Sequence, residues 1–160
     1  MKIEELNLKP NVLKAVNELG FTELTQIQEK SIPEIREGKD VVGQSSTGSG
    51  KTFAFGLPIL ENIEHGKGVQ SLILTPTREL CVQVTDAINN FGKYTYIKAT
   101  SVYGGVGIIP QVHAIKRSEI VVGTPGRIID HIRRGTINFR AVKILVLDEA
   151  DKMFQMGFIE

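Results

Sequence analysis

The sequence predicts an α/β fold: a mainly parallel sheet with helices on both faces. Three observations lead there. Short runs apolar on both faces and rich in Val and Ile recur at 40–43, 71–74, 98–102, 119–122 and 143–147, and such runs read as strands covered on both sides. Helical stretches separate them, which sets the strands parallel in a doubly wound arrangement. The first run also leads into Ser45-Ser46-Thr47-Gly48-Ser49-Gly50-Lys51-Thr52, and a helical run from Lys51 to Ile63 leads out. Strand, glycine loop and helix in that order form a phosphate-cradling pattern.

The composition narrows the class. A chain of 160 residues suits one domain. Its 41% hydrophobic and 23% charged content is that of a soluble globular protein. Cys81 is the only cysteine, so no internal disulfide forms, which fits a reducing compartment. It falls among apolar helical residues and is expected in the core. The N-terminus, Met1 to Glu5, is charged and carries no signal-peptide core, and no run is long enough to cross a membrane. A cytoplasmic location is the expectation. The net charge is +1, without the basic excess common in nucleic-acid binders, so any such site must be local.

Residues 1–38 read as helix, turn, helix. Asn11 is expected to cap a helix through Leu19, with Val12, Leu13, Val16 and Leu19 on its apolar face and Gly20 as its stop. Thr25 is expected to cap a second helix through Arg36, with Ile27, Ile32 and Ile35 apolar and Pro33 bending or shortening it. Residues 39–160 then form the sheet-bearing core, a single domain overall.

In the glycine loop, Gly48 and Gly50 let the backbone curl so that N–H groups converge on an anion. The helix N-terminus behind it favours negative charge. Lys51 brings a full charge to outer phosphates, and the Thr52 hydroxyl is a magnesium ligand. The strict pattern has glycine where this chain has Ser45.

Each later strand ends in residues that do not suit a core: Thr75-Pro76-Thr77-Arg78-Glu79, Tyr103-Gly104-Gly105, Gly123-Thr124-Pro125-Gly126-Arg127 and Asp148-Glu149-Ala150-Asp151. Ligands of open parallel sheets bind beyond the carboxyl ends of the strands. Asp148 is placed to hold magnesium through water, and Glu149 to orient and deprotonate an attacking water. Without the glycine loop, two solvated acids capping a helix would be the plainer reading. Arg78 and Arg127 stand near helix starts, where their forks and the Gly104-Gly105 backbone suit phosphate contacts that carry no base information. Turns with surface ion pairs, such as Arg78 with Glu79, are the alternative. His65, His113 and His131 lack metal spacing, and Arg133-Arg134 reads as a solvated helix end.

Together these residues resemble a family. Gly48–Thr52, Pro76-Thr77-Arg78-Glu79-Leu80, Gly104-Gly105, Thr124-Pro125-Gly126-Arg127 and Asp148-Glu149-Ala150-Asp151, with Gly20-Phe21 and Thr25-Gln26-Ile27-Gln28 upstream, look like the DEAD-box ATP-dependent RNA helicases. The resemblance implies a RecA-like domain that binds ATP and magnesium. It implies that Gln28 reads adenine beside Phe21. It implies that Ser46, Thr47, Gly48, Ser49, Gly50, Lys51 and Thr52 take the phosphates and metal, with Asp148 and Glu149 as metal-side acid and base. Pro76, Thr77, Arg78, Gly104, Gly105, Thr124, Pro125, Gly126 and Arg127 are implied to contact the RNA backbone. Asp151 is implied to couple to a later Ser-Ala-Thr element.

Four departures stand out. Ser45 replaces the family's usual alanine, and Leu24 a common proline. Ile3 aligns with an aromatic residue that stacks on adenine, so modest adenine affinity is expected. The chain also stops at Glu160, before the Ser-Ala-Thr element and the second RecA-like domain. It is therefore expected to be part of a longer helicase, to bind nucleotide, to hydrolyse it poorly and to hold RNA weakly. The strand bearing the Ser-Ala-Thr element lies between the glycine-loop strand and the Asp148 strand in such sheets, so unpaired strand edges are expected, closed by slippage, by self-association or by partial disorder of the last residues. A DNA-translocating ATPase of the wider helicase superfamily and a non-enzymatic nucleotide-binding module are the alternatives.

Overall fold

The computed structural model describes residues 1–157. It divides into two compact units. One comprises Met1–Ile63 with Ala87–Tyr96; the other comprises Glu64–Asp86 with the described residues from Ile97 on.

The first unit is helical. A short 3-10 turn, Ile3–Leu6, precedes α1 (Pro10–Glu18), α2 (Gln26–Arg36) and α3 (Lys51–Asn62). Pro10 starts α1, because proline lacks only an N–H that the first turn leaves unbonded. Asn11 therefore sits inside the helix and Lys9 is its N-cap, one correction to the expected start. The buried stripe is Val12, Ala15 and Val16, while Leu19 stands 41% exposed. Gly20 follows in the left-handed region at φ +83°, as a helix stop requires. Thr25 caps α2 as the sequence predicts. The helix runs past Pro33 to Arg36, so the proline does not end it. The unit's aromatic centre is Phe53 of α3, stacked on Phe21 at 4.8 Å and met edge-on by Phe91 at 5.1 Å.

The second unit holds the sheet. β1 (Ser71–Leu74), β2 (Ala99–Val102), β3 (Ile120–Gly123) and β4 (Ile144–Leu147) lie in the order β2-β3-β1-β4, and every pairing is parallel. Helices α4 (Arg78–Phe91), α5 (Ile108–Lys116), α6 (Pro125–Arg134) and α7 (Ala150–Gln155) follow the four strands in turn, α4 ending within the first unit. Register puts Leu72, Val102 and Val121 on one face, where they pack with Ile115 of α5 and Ile128 of α6. Ser101 points the other way, and its hydroxyl meets Thr85 of α4 at 2.7 Å. Cys81 lies on that side too, fully buried, its thiol donating to the Val122 carbonyl. β1 and β3 are thus covered on both faces, as a doubly wound pattern requires, whereas β4 is not: its Leu145 and Leu147, on the face of Leu72, stand exposed.

One expected strand does not form. Residues 40–43 are not in the sheet, and Val42 is completely exposed. A strand exists only through a hydrogen-bonded neighbour, and among the described residues the ladder ends at β4, whose single partner is β1. Leu145 and Leu147 of β4 are correspondingly 60% and 51% exposed. An apolar run was legible in the sequence; its partner was not. The expected disorder of the last residues falls partly on 158–160, outside the described residues.

Candidate functional site

The glycine loop of the first unit is built around its two glycines. Gly48 and Gly50 have φ of +81° and +88°, a region that a side chain makes costly. Gly50 is also the N-cap of α3, so the loop feeds directly into a helix N-terminus. Lys51 folds back across the loop, its Nζ donating to the Ser45 carbonyl at 2.8 Å. Ser45 and Ser49 close the loop hydroxyl to hydroxyl. Ser46, Thr47 and Gly48 are exposed, while Thr52 is half-buried. The serine at the strict pattern's glycine position thus takes part in the loop's own bonding.

Gln28 is tied to this loop. It stands third in α2, where a capping box needs an amide or acid, and its Oε1 accepts from the Thr25 N–H at 2.8 Å. That bond turns Nε2 toward the loop, where it donates to the Gly50 carbonyl at 3.2 Å. The Thr25 hydroxyl donates to the Ser49 carbonyl at 2.7 Å. A Cβ on Gly50 would fall 2.2 Å from Gln28 Nε2, so glycine is needed there for approach as well as for φ. Gln28 is 2% exposed, Leu24 8% and Ile3 1%. Ile3 and Leu24 are therefore packing residues of the first unit in this structure. Phe21 is half-buried against Phe53.

The second unit carries the other sequence-selected groups at its strand ends. Arg78 opens α4, and its guanidinium lies over the Tyr103 ring, 4.6 Å from the centroid, rather than on Glu79. The Thr77 hydroxyl accepts from the Leu80 N–H, and Pro76 is buried beneath it. Gly104 and Gly105 are exposed, Gly105 at φ +84°. Thr124 is the N-cap of α6, with Pro125 buried at its first position and Gly126 exposed. Arg127 donates through Nη1 and Nη2 to the Val106 carbonyl, both at 3.0 Å, and through Nη1 to Gln111 Oε1 at 3.1 Å. Arg134 is paired with Asp130 at 2.8 Å, as a solvated helix end would be.

Asp148 follows β4 directly, 9% exposed, its N–H donating to the Leu74 carbonyl at 2.9 Å. Glu149 follows with φ +52° as the N-cap of α7 and pairs with Lys152 at 3.1 Å. Glu149 holds this left-handed conformation without being glycine, a backbone that a bulky residue adopts at a turn. Asp151 is exposed. Among the described residues no cluster of three or more His, Cys, Asp or Glu could hold a metal by itself. The hydroxyl of Thr52 and the carboxylate of Asp148 are hard oxygen donors, the chemistry magnesium takes while keeping much of its water.

Comparison with known proteins decides the family: the model for the DEAD/DEAH box helicase matches residues 25–160. The chain belongs to that family. It is 48% identical to an ATP-dependent RNA helicase, CshA, of Limosilactobacillus reuteri, over the whole of this chain and 33% of that protein. It is also 48% identical to a probable ATP-dependent RNA helicase of Methanocaldococcus jannaschii, over the whole of this chain and 44% of that protein. A crystal structure of a DEAD box protein from the hyperthermophile Methanococcus jannaschii superposes with a TM-score of 0.96 at 48% identity, covering 99% of this chain and 44% of that one. A hypothetical ATP-dependent RNA helicase from Sulfolobus tokodaii gives 0.88 at 43% identity, over 95% of this chain and 44% of that one. The chain thus spans a third to under a half of the relatives it matches. Its sheet is an incomplete RecA-like α/β domain of a DEAD-box helicase. No helix among the described residues is long and apolar enough to cross a membrane.

Sequence reasoning missed two members of the second unit's polar network. Gln111 lies on α5 among apolar residues, 7% exposed, and its Nε2 donates to the Tyr103 carbonyl at 2.9 Å. His131, set aside for lack of metal spacing, is fully buried on α6 and joins Gln111 Oε1 at 3.1 Å and the Thr136 hydroxyl at 2.6 Å. A polar side chain at a core-facing position was the available signal for both.

Proposed function

We propose that this chain is the nucleotide-binding and RNA-backbone-binding part of an ATP-dependent RNA helicase, one that couples ATP hydrolysis to local RNA unwinding or remodelling of RNA–protein complexes. The observation that carries the nucleotide half is the bonding of Gln28. A glutamine amide has two acceptor sites and two donor hydrogens. Thr25 and Gly50 use one of each. One acceptor and one donor remain, a pair that can complement the N6 amino group and N7 of adenine. Guanine presents two acceptors on the same edge and leaves the amide oxygen facing an oxygen. Because Gln28 is buried, adenine reaches those sites only when its cover yields.

The remaining roles follow the family resemblance. The loop Ser46-Thr47-Gly48-Ser49-Gly50 turns backbone N–H groups to the phosphates, Lys51 exchanges the Ser45 carbonyl for a phosphate oxygen, and Phe21 flanks the nucleotide. Thr52 and Asp148 would each offer magnesium an oxygen, and the ion would neutralise charge on the phosphates. Glu149 releases Lys152 to orient and deprotonate the attacking water. Arg78, Arg127, Thr77, Thr124, the Gly104-Gly105 backbone and the turns at Pro76, Pro125 and Gly126 hold RNA by its backbone, without reading bases. Asp151 couples to the second RecA-like domain of the parent. Residues 1–38 are the adenine-reading segment and 39–160 the catalytic core, in a cytoplasmic protein. Turnover by this chain alone is slow, because transition-state charge is stabilised partly from the second domain. The open edge of β4 supports self-association through the incomplete sheet.

Calorimetric titration with magnesium and ADP, then GDP, tests the adenine reading. ADP is expected to bind at least about tenfold tighter, in line with rejection of a base that leaves a hydrogen-bonding group unpaired. Equal affinities would remove Gln28 as reader and leave only a phosphate loop.

A further inference from the structure

We propose that Gln111 is a positioning residue for RNA-backbone binding, locking the Tyr103–Val106 loop and Arg127 into one preformed grip. This rests on the RNA-backbone reading of Arg127 and Gly104-Gly105.

The orientation of Gln111 is fixed by partners whose roles cannot change. Its Oε1 accepts from Arg127, which has no acceptor, and its Nε2 donates to the Tyr103 carbonyl, which has no donor. His131 Nε2 also meets Oε1, at 3.1 Å, so that ring nitrogen carries the hydrogen. Nδ1 then accepts from the Thr136 hydroxyl at 2.6 Å. Burial, and secondarily the Arg127 charge, push the His131 pKa down and favour this neutral tautomer. The chain of bonds runs from Thr136 through His131 and Gln111 to both Arg127 and the loop.

Its consequence is the aim of Arg127. A guanidinium has five N–H donors. Val106 takes one from each Nη and Gln111 takes the second from Nη1. Nε and the remaining Nη2 hydrogen are left, and these form the side-on fork that fits a phosphate. Asp130 lies 3.9 Å from Nε, but its carboxylate is held by Arg134 at 2.8 Å. The Arg127 side chain is only 14% exposed, so its fork is presented by its neighbours and not by free rotation. Through Tyr103, whose ring lies under Arg78, the same amide also bears on the second arginine.

The test uses fluorescence anisotropy with a labelled single-stranded oligouridine RNA, between about 50 and 200 mM salt. Gln111→Ala is expected to weaken binding about five- to tenfold and to lower the salt slope by about 0.7, the value of one phosphate contact on a single strand. A variant that merely lost folded protein would keep the slope. The double variant Gln111→Ala with Arg127→Ala is expected to bind no more weakly than Arg127→Ala alone, because both remove one grip. Gln111→Met keeps the side-chain size and drops both the acceptor for Arg127 and the donor to Tyr103. It is expected to give the same two losses, and it decides the matter if the alanine variant does not fold. Wild-type affinity and slope in the Gln111 variants, with Arg127→Ala weakened, would overturn this inference alone. An Arg127→Ala variant that binds like the wild type, or no RNA binding by the unaltered chain, would overturn the RNA-backbone reading and this inference with it.

Discussion

Two glycines of the phosphate loop share a backbone conformation and differ in what surrounds them, which makes Gly50→Ala and Gly48→Ala a controlled pair. Both residues have positive φ, and an added Cβ in that region costs about 1–2 kcal/mol. At Gly48 nothing lies within 4 Å of the added atom, so that is the whole expected loss. At Gly50 the atom falls 2.2 Å from Gln28 Nε2, 3.1 Å from its Cδ and 3.3 Å from Thr25 Oγ1. The amide must swing away, losing its bonds to the Gly50 carbonyl and the Thr25 N–H. At about 0.5–1.5 kcal/mol each, those bonds add about 1–3 kcal/mol. Gly50→Ala is therefore expected to cost about 2–5 kcal/mol against about 1–2 for Gly48→Ala. Urea unfolding with unchanged m-values reads both losses. Repeating the Gly50 change in a Gln28→Ala background should bring it down to the Gly48 value, since the coupling partner is gone. Equal losses for the two glycines in the wild-type background would refute the tie between Gln28 and the loop.

The buried His131 predicts a pH response. Its folded pKa is lowered, by burial first and the Arg127 charge second, so on acidification the unfolded chain takes up its proton first. The contribution is intact above the unfolded value of about 6.5 and is lost as pH falls below it, at up to about 1.4 kcal/mol per pH unit. Urea midpoints should therefore drop between about pH 7 and 5.5, and a flat or rising midpoint would refute the neutral, buried assignment. Self-association through β4 predicts a sedimentation coefficient that rises with concentration, and suppression of that rise by Leu145→Lys, because an edge charge opposes strand pairing. A chain that stays monomeric at every concentration would end that proposal.

What was legible in the sequence depended on how far its physical cause reached along the chain. The capping of α2 by Thr25 and the curl at Gly48 and Gly50 are decided within a few residues, and both stand as expected. The β1 and β3 runs were legible because burial on both faces leaves an apolar signature, and β4 carries that signature although its Leu145 and Leu147 stand exposed. Residues 40–43 carry the same signature, yet form no strand, since pairing depends on a neighbour that composition does not reveal. Asn11 was misread for a local reason: Pro10 is the better first residue, which moves the cap to Lys9. The near-complete burial of Ile3, set by family alignment against adenine, and of Leu24, set against a turn-forming proline, is a tertiary outcome no spacing encodes. Gln111 and His131 were passed over because a polar residue among apolar ones has no partner until α5 and α6 are brought to the same strand ends.

The near-neutral charge gives that last pair its weight. With a net charge of +1, the chain has no broad positive field to concentrate a polyanion, and on the proposed RNA-backbone reading its arginines act at contact range. At contact range an unrestrained arginine gives up much of its gain, because ordering a long side chain costs up to about 2 kcal/mol. Arg127 is already ordered by Val106 and Gln111, and Arg78 is already laid on Tyr103. The entropy was lost on folding, so a phosphate entering the remaining fork meets a smaller penalty. A few arginines prepared this way can hold a backbone that a uniformly basic surface would hold by charge alone, and buried Gln111 connects the two.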